Sequence, residues 1–218
     1  MLPLQLGAER ATLKVLCIGA HSDDIEIGCS GTLRALRERG HKLEVCWVVL
    51  CAPPGDRERE ARASAQDWIG PAIGTLDLRL ASYRDAHFPS EFESLKARFT
   101  ALRAEAEPDI IFTHHLEDRH QDHRLVAELT WQTWRNHLVL EYEIPKYEGD
   151  LSRPNFYVPL TRSICEAKSE HLIRHFGSQR SKDWFDREMF RGLMRLRGVE
   201  CRAAEGFAEA FVARKLTL

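Results

Sequence analysis

The chain contains no apolar stretch approaching the ~18 consecutive residues of a membrane-spanning helix. Its first ten residues, MLPLQLGAER, carry no basic run ahead of an apolar segment. Both absences point to a cytoplasmic protein with neither a transmembrane segment nor a cleaved leader. Positive charge is not in excess either: 31 basic against 33 acidic side chains leave a net charge of −2. That balance excludes the broad basic field that holds a nucleic-acid backbone. The six cysteines include no CxxC pair. Cys17, Cys46, Cys51, Cys165 and Cys201 stand singly in or beside apolar segments, as small core residues with free thiols in a reducing compartment would. A pairing of Cys46 with Cys51 stays open. There is no internal repeat, low-complexity tract or linker, so residues 1–218 read as a single domain.

What the sequence has is alternation. Residues 13–19 (LKVLCIG), 43–50 (LEVCWVVL) and 109–113 (DIIFT) are short apolar runs of the kind found in strands buried on both faces. A weaker strand is expected near 75–78, another over 137–144 and a last one over 207–212. Helices are expected over 30–39, stopping at Gly40, and over 56–68, before Gly70 and Pro71. A further helix is opened by a capping box at Ser90 and Glu93 and runs to about 107. Three more cover 121–136, 161–175 and 182–197. Repeated strand–helix units predict an α/β, Rossmann-like, mainly parallel sheet with helices on both faces and ligands beyond the carboxyl ends of the strands. Residues 145–159 read as the longest loop. Trp131, Trp134 and Trp184, at helical spacing with other apolar residues, read as core.

Chemistry-bearing residues gather at two strand ends. After the first strand comes AHSDDIEIGCSGT, with His21, Asp23, Asp24 and Glu26 together; after the 109–113 strand comes HHLEDRHQDHR. His120 and His123 are three residues apart, which puts both imidazoles on one helical face. Burying several carboxylates together is costly unless a cation or a positive side chain compensates them. Two His/Asp loops at neighbouring strand ends can converge on one ion, and imidazole with carboxylate suits zinc or iron(II).

AHSDDIEIGCSGTL, EDRHQDH and the segment from Arg57, Glu60 and Ala61 to Ile69-Gly70 resemble the PIG-L/LmbE-like zinc deacetylases of N-acetylglucosamine-containing substrates. GDLSRPNFYVPL and AEGFAEAF extend the resemblance over most of the chain. The resemblance implies a zinc (or iron(II)) ion held by His21, Asp24 and His123, with Asp23 as general base and His120 as acid or oxyanion stabiliser. It also implies Arg57 on the substrate side, and a small N-acetylated amino sugar as substrate. Ser22 stands where the family usually has proline or alanine, at a position that is not a ligand.

The roles agree with elementary chemistry. An amide is a poor electrophile and water a poor nucleophile, and a divalent cation addresses both. A protonated imidazole suits the oxyanion and the departing amine. Asp122 reads either as the orienter of a histidine or as a helix N-cap. The run 56–62, which holds Arg57, also has the alternating charge of a solvated helix face. His114 and His115 read as pocket wall. Glu26 is not assigned to the metal. Tyr147, Arg153, Asn155 and Tyr157, in the long loop, are candidates for substrate contact. Two other classes remain: a phosphoesterase using the same ligand types, and a nucleotide-binding domain without catalysis. The second lacks a GxGxxG, since Gly19 is followed by Ala20 and His21. A homo-oligomer is compatible with the sequence.

Overall fold

In the computed structural model, which describes residues 12–217, seven strands form one sheet in the order β3-β2-β1-β4-β5-β7-β6. The strands are β1 (Thr12–His21), β2 (Lys42–Cys51), β3 (Gly74–Leu80), β4 (Ile110–His114), β5 (Leu138–Tyr142), β6 (Phe156–Leu160) and β7 (Phe207–Ala213). The first five are parallel; β7 runs antiparallel to both β5 and β6. The helices are α1 (Asp24–Glu38), α2 (Asp56–Trp68), α3 (Phe92–Glu105), α4 (Gln121–Thr133), α5 (Arg162–His175) and α6 (Arg187–Glu200). The expected mainly parallel α/β sheet is therefore present. The N-terminal reading of MLPLQLGAER falls outside the described residues. Among those described, no helix is long and apolar enough to cross a membrane, and the six cysteines are free thiols.

The central strands β1, β2, β4 and β5 are largely buried because both faces of the pleat meet a helix layer, whereas the edge strands β3 and β6 are only partly covered. Leu13, Val15 and Cys17 join Leu33, Trp68, Leu172 and Met194 on the face covered by α1, α2, α5 and α6. Leu16, Ile18 and Ala20 join Leu95, Phe99, Val126 and Leu129 on the face covered by α3 and α4. Trp134 is fully buried in this second layer; Trp131 packs against it and Trp184 against the first.

Some boundaries differ from expectation for identifiable reasons. α1 starts at Asp24, six residues before the expected Ser30, and its first turns pack closely at Gly28. A Cβ at Gly28 would lie 2.4 Å from the Tyr142 ring. Tyr142 lies across the helix and donates its hydroxyl to Ile18 O at 2.7 Å. Gly40, at φ 97°, ends the turn after α1 as expected. The Ser90–Glu93 capping box does not form: a 3-10 turn, Phe88–Glu91, precedes α3, and Glu91 accepts a hydrogen bond from Arg84 N instead. α6 begins later than expected, at Arg187, where Asp186 accepts from Met189 N at 2.7 Å as N-cap. The loop 145–159 gives way to β6 at Phe156; Pro159 is tolerated because β6 is an edge strand paired on one side only.

The chain moves outward from β1 to β2 and β3, then returns to pair β4 with the other side of β1. That reversal opens a crevice beyond the carboxyl ends of β1 and β4. The β1–β4 ladder covers only Val15 to Cys17, after which the strands part. His114, closing β4, fills the gap and accepts Ala20 N–H on its Nε2 at 3.0 Å.

Candidate metal centre

His21 closes β1, Asp24 opens α1 and His123 lies in the first turn of α4. The crevice brings the three together. His21 Nδ1 lies 3.1 Å from His123 Nε2 and 3.5 Å from Asp24 Oδ2; His123 Nε2 lies 3.6 Å from Asp24 Oδ1. Asp24 Oδ2 also accepts His21 N–H at 2.6 Å, which ties the carboxylate to the strand end.

The outer nitrogens of both rings face carboxylates. His123 Nδ1 is 3.0 Å from Asp118 Oδ2, and His21 Nε2 is 3.0 Å from Asp85 Oδ1 and 3.4 Å from Asp122 Oδ2. The Nδ1 proton of His123 goes to Asp118, so its Nε2 is an acceptor beside His21 Nδ1, while His21 Nε2 is buried and makes no hydrogen bond of its own. With the His21 proton on Nε2, its Nδ1, His123 Nε2 and the Asp24 carboxylate become three acceptors side by side, a cluster that a cation relieves. Tetrahedral zinc, with bonds of ~2.0–2.1 Å to nitrogen or oxygen, spaces its ligand atoms about 3.3 Å apart. The three measured separations straddle that value, so the donor set fits zinc and equally iron(II).

Titration directions differ between the two rings: His123 is held neutral, whereas the carboxylates around His21 favour its protonated form, a charge that a metal ion would replace. Burial, reinforced by the neighbouring His114, holds His123 down to about 3, against the pull of Asp24 and Asp118, so this ring is neutral and free to ligate. Burial also opposes charge on His21, yet Asp122, Asp24 and Asp85 together raise it well above the usual histidine range. Three carboxylates around one ring leave an excess of negative charge for a cation to offset. The nearby cationic side chains are already engaged: Arg57 Nη2 donates to Asp23 Oδ1 at 2.5 Å, and Lys146 reaches Asp118 at 3.1 Å and Asp150 at 2.7 Å.

Asp23, at the N-cap of α1, is buried and held by that contact with Arg57, whose Nη1 donates to Glu60 at 3.2 Å and to Ser178 Oγ at 3.3 Å. Arg57 thus points inward, off the solvated face that its charge run allowed. His120 is the N-cap of α4: its Nδ1 accepts Asp122 N–H at 3.3 Å, which leaves the proton on Nε2. Its ring centroid is 4.9 Å from that of His21 and 4.5 Å from that of His123. Burial and the His21 charge lower its pKa, which favours a neutral donor over the protonated ring expected from sequence. Asp122 is therefore not the cap. Its Oδ2 accepts Ala86 N–H at 2.7 Å and its Oδ1 accepts Phe88 N–H at 3.0 Å, pinning the segment that carries Asp85 against His21.

The long-loop residues fare unequally. Tyr147 and Arg153 are exposed. Asn155 accepts Ala213 N–H at 2.8 Å and donates to Ala213 O at 3.1 Å, extending the β6–β7 ladder with both ends of its amide in use. Tyr157 donates to Pro154 O at 3.0 Å. His114 is nearer the centre than a pocket wall would be, 3.1 Å from Asp24 Oδ2. Glu26 is wholly buried, and burial pushes it up to about 8 against the Ser64 hydroxyl that donates to it. Sequence reasoning passed over Asp118, although it stands inside EDRHQDH five residues before His123. Asp85 has no sequence signal, since only the fold carries its loop to His21.

The model of the GlcNAc-PI de-N-acetylase family matches residues 16–134, the stretch that carries His21, Asp23, Asp24, His120 and His123. YaiS of Escherichia coli K12, described as an uncharacterized deacetylase, is 30% identical over 142 residues, 60% of this chain and 74% of that protein. N,N'-diacetylchitobiose deacetylase from Pyrococcus horikoshii, solved with its inhibitor MPG, superposes with a TM-score of 0.69 at 24% identity over 92% of this chain and 83% of its own. GalB, the 4-carboxy-2-hydroxymuconate hydratase of Pseudomonas putida KT2440, also has a TM-score of 0.69, at 17% identity over 94% of this chain and 98% of its own. The fold thus carries more than one chemistry, and the site has to decide between them.

Proposed function

The chain belongs to the GlcNAc-PI de-N-acetylase family, and from that premise we propose that it is a metal-dependent hydrolase removing the acetyl group from an N-acetylated amino sugar. The observation that carries this reading is the meeting of three groups of metal-ligating type, His21, His123 and Asp24, beside a buried carboxylate that is not one of them. The three would hold zinc or iron(II), which when bound supplies Lewis acidity to the amide carbonyl and to the attacking water.

Asp23 is the proton acceptor. Arg57 holds its Oδ1, so Oδ2 is the oxygen that takes the proton of the attacking water. Arg57 thereby positions the base, and Glu60 and Ser178 fix the guanidinium in turn. His120 donates a hydrogen bond from Nε2 to the oxygen that gains negative charge, and the proton that Asp23 took from the water passes to the departing amine. The backbone N–H that its Nδ1 accepts keeps the donor nitrogen turned to the substrate side. Tyr147 and Arg153, exposed on the loop after β5, are the residues we assign to the sugar and its aglycone; Asn155, occupied in the ladder, we do not.

The test is an amine-release assay on a panel of N-acetylglucosamine conjugates, with chelated protein and an Asp23→Asn variant as controls. Chelation should abolish release and added zinc should restore it. Asp23→Asn should keep its metal and lose roughly 10²–10⁴-fold in kcat. Full activity in that variant would refute the base assignment. Phosphatase activity or double-bond hydration without amide cleavage would refute the reaction class.

A further inference from the structure

A second group of nitrogen and carboxylate donors lies at the other end of α2 from Arg57. Asp67 Oδ2 is 2.9 Å from His175 Nε2 and 3.4 Å from His171 Nδ1, and the two imidazole centroids are 4.3 Å apart. All three ligand atoms lie within 4.8 Å of one another. His171 and His175 are one turn apart on α5, so both face the same way; Asp67 comes from the last turn of α2. Ten residues of α2 separate Asp67 from Arg57, about 15 Å along the axis. The group is therefore not part of the centre at His21.

A plain ion pair with Asp67 explains His175 but not His171, which is 5% exposed and directs its Nδ1 at the same oxygen. The other nitrogen of His171, Nε2, is 2.8 Å from Ser64 Oγ, and the Ser64 hydroxyl donates to Glu26. In the tautomer with the His171 proton on Nε2, Ser64 Oγ accepts it, and Nδ1 carries a lone pair aimed where Asp67 and His175 also point. A histidine anchored through one nitrogen, with the other beside a carboxylate and a second imidazole, has the arrangement of a metal ligand. Trp68 holds the ring edge-on at 4.7 Å, which limits its rotation. Burial, with the charge of His175 next, pushes His171 down to about 3 and keeps it neutral; Arg34 and Arg174 act in the same direction. Those two guanidinium groups also oppose a cation, so binding requires all three donors together.

We propose that Asp67, His171 and His175 form a second divalent transition-metal site, of zinc-binding chemistry, that clamps the end of α2 to the end of α5. The proposal does not depend on the reaction catalysed at the first centre. It is tested on the full chain stripped with a chelator and dialysed against micromolar Zn²⁺, with metal content measured and folding followed by circular dichroism. Wild type should hold one more Zn²⁺ per chain than either His175→Ala or Asp67→Asn, with affinity for that ion at least ten-fold weaker in both variants. His123→Ala should lose the other ion and keep this one. Asp67 is exposed and His175 half-buried, so the variants can be read without unfolding. Equal zinc content in wild type and in either surface variant overturns the proposal, whatever happens at His123.

Discussion

Two clusters of buried charge flank α1, and they handle the same electrostatic problem in opposite ways. On the side of β7, every charge has an opposite partner. Glu209 accepts Gly31 N–H at 2.9 Å and Thr32 N–H at 2.6 Å and is paired with Lys168, which also donates to Ile27 O at 2.6 Å. Arg197 grips Glu143 through two nitrogens, at 2.6 and 2.9 Å. At the N-terminal end of the same helix, three groups of metal-ligating type, His21, Asp24 and His123, converge with no lysine or arginine among them. A completed cluster joins elements of the fold, whereas an incomplete one of the same residue types is a place for a ligand.

Three substitutions test that contrast. The largest stability effect is expected for Lys168→Met, which leaves Glu209 buried without its counter-charge and should cost about 3–5 kcal/mol. At ~2–4 °C per kcal/mol for a chain of this size, Tm should fall by about 10 °C. Amide cleavage by the chain that remains folded should be unchanged. A large loss of activity without a fall in Tm would mean that the β7 cluster serves the reaction and that the contrast is wrong. Asp118→Asn acts on the other cluster by removing the acceptor of the His123 ring proton. Metal affinity should fall about 10–100-fold, measured by competition with a chelator, with little change in Tm. Unchanged affinity would detach His123 from the centre. The smallest effect is expected for Asn155→Ala, which loses two hydrogen bonds to Ala213 and should cost about 1–2 kcal/mol with kcat/KM intact. A raised KM at unchanged Tm would instead return Asn155 to the substrate.

The centre was more legible than its surroundings. His21, Asp24 and His123 stand in motifs that follow apolar strands, and a parallel sheet brings adjacent strand ends together. Arg57 was legible as a residue of the site but not as the partner of Asp23, because a helix with alternating charge reads as solvated until something covers it. Asp122 reads from sequence as either the orienter of a histidine or the N-cap of α4; His120 takes the cap, and the segment 86–88, whose N–H groups hold the Asp122 carboxylate, keeps Asp122 at His21. The sequence reading places the start of α1 six residues late, at Ser30; what local sequence does not contain is that the missing Cβ of Gly28 is required by a ring from β5, 114 residues later.

By itself the sequence determined the alternation of strands and helices, the two loops that carry imidazole and carboxylate, and the metal chemistry such groups allow, because these follow from local periodicity and residue type. Only the tertiary structure decided which carboxylate serves which ring. Asp118, Asp85 and Asp122 reach their histidines through three separate segments, and the Asp67–His171–His175 group forms across two helices distant in the chain. The physical reason is that a hydrogen bond is specified by a separation of a few ångströms and a direction, quantities that packing sets and that sequence spacing does not contain.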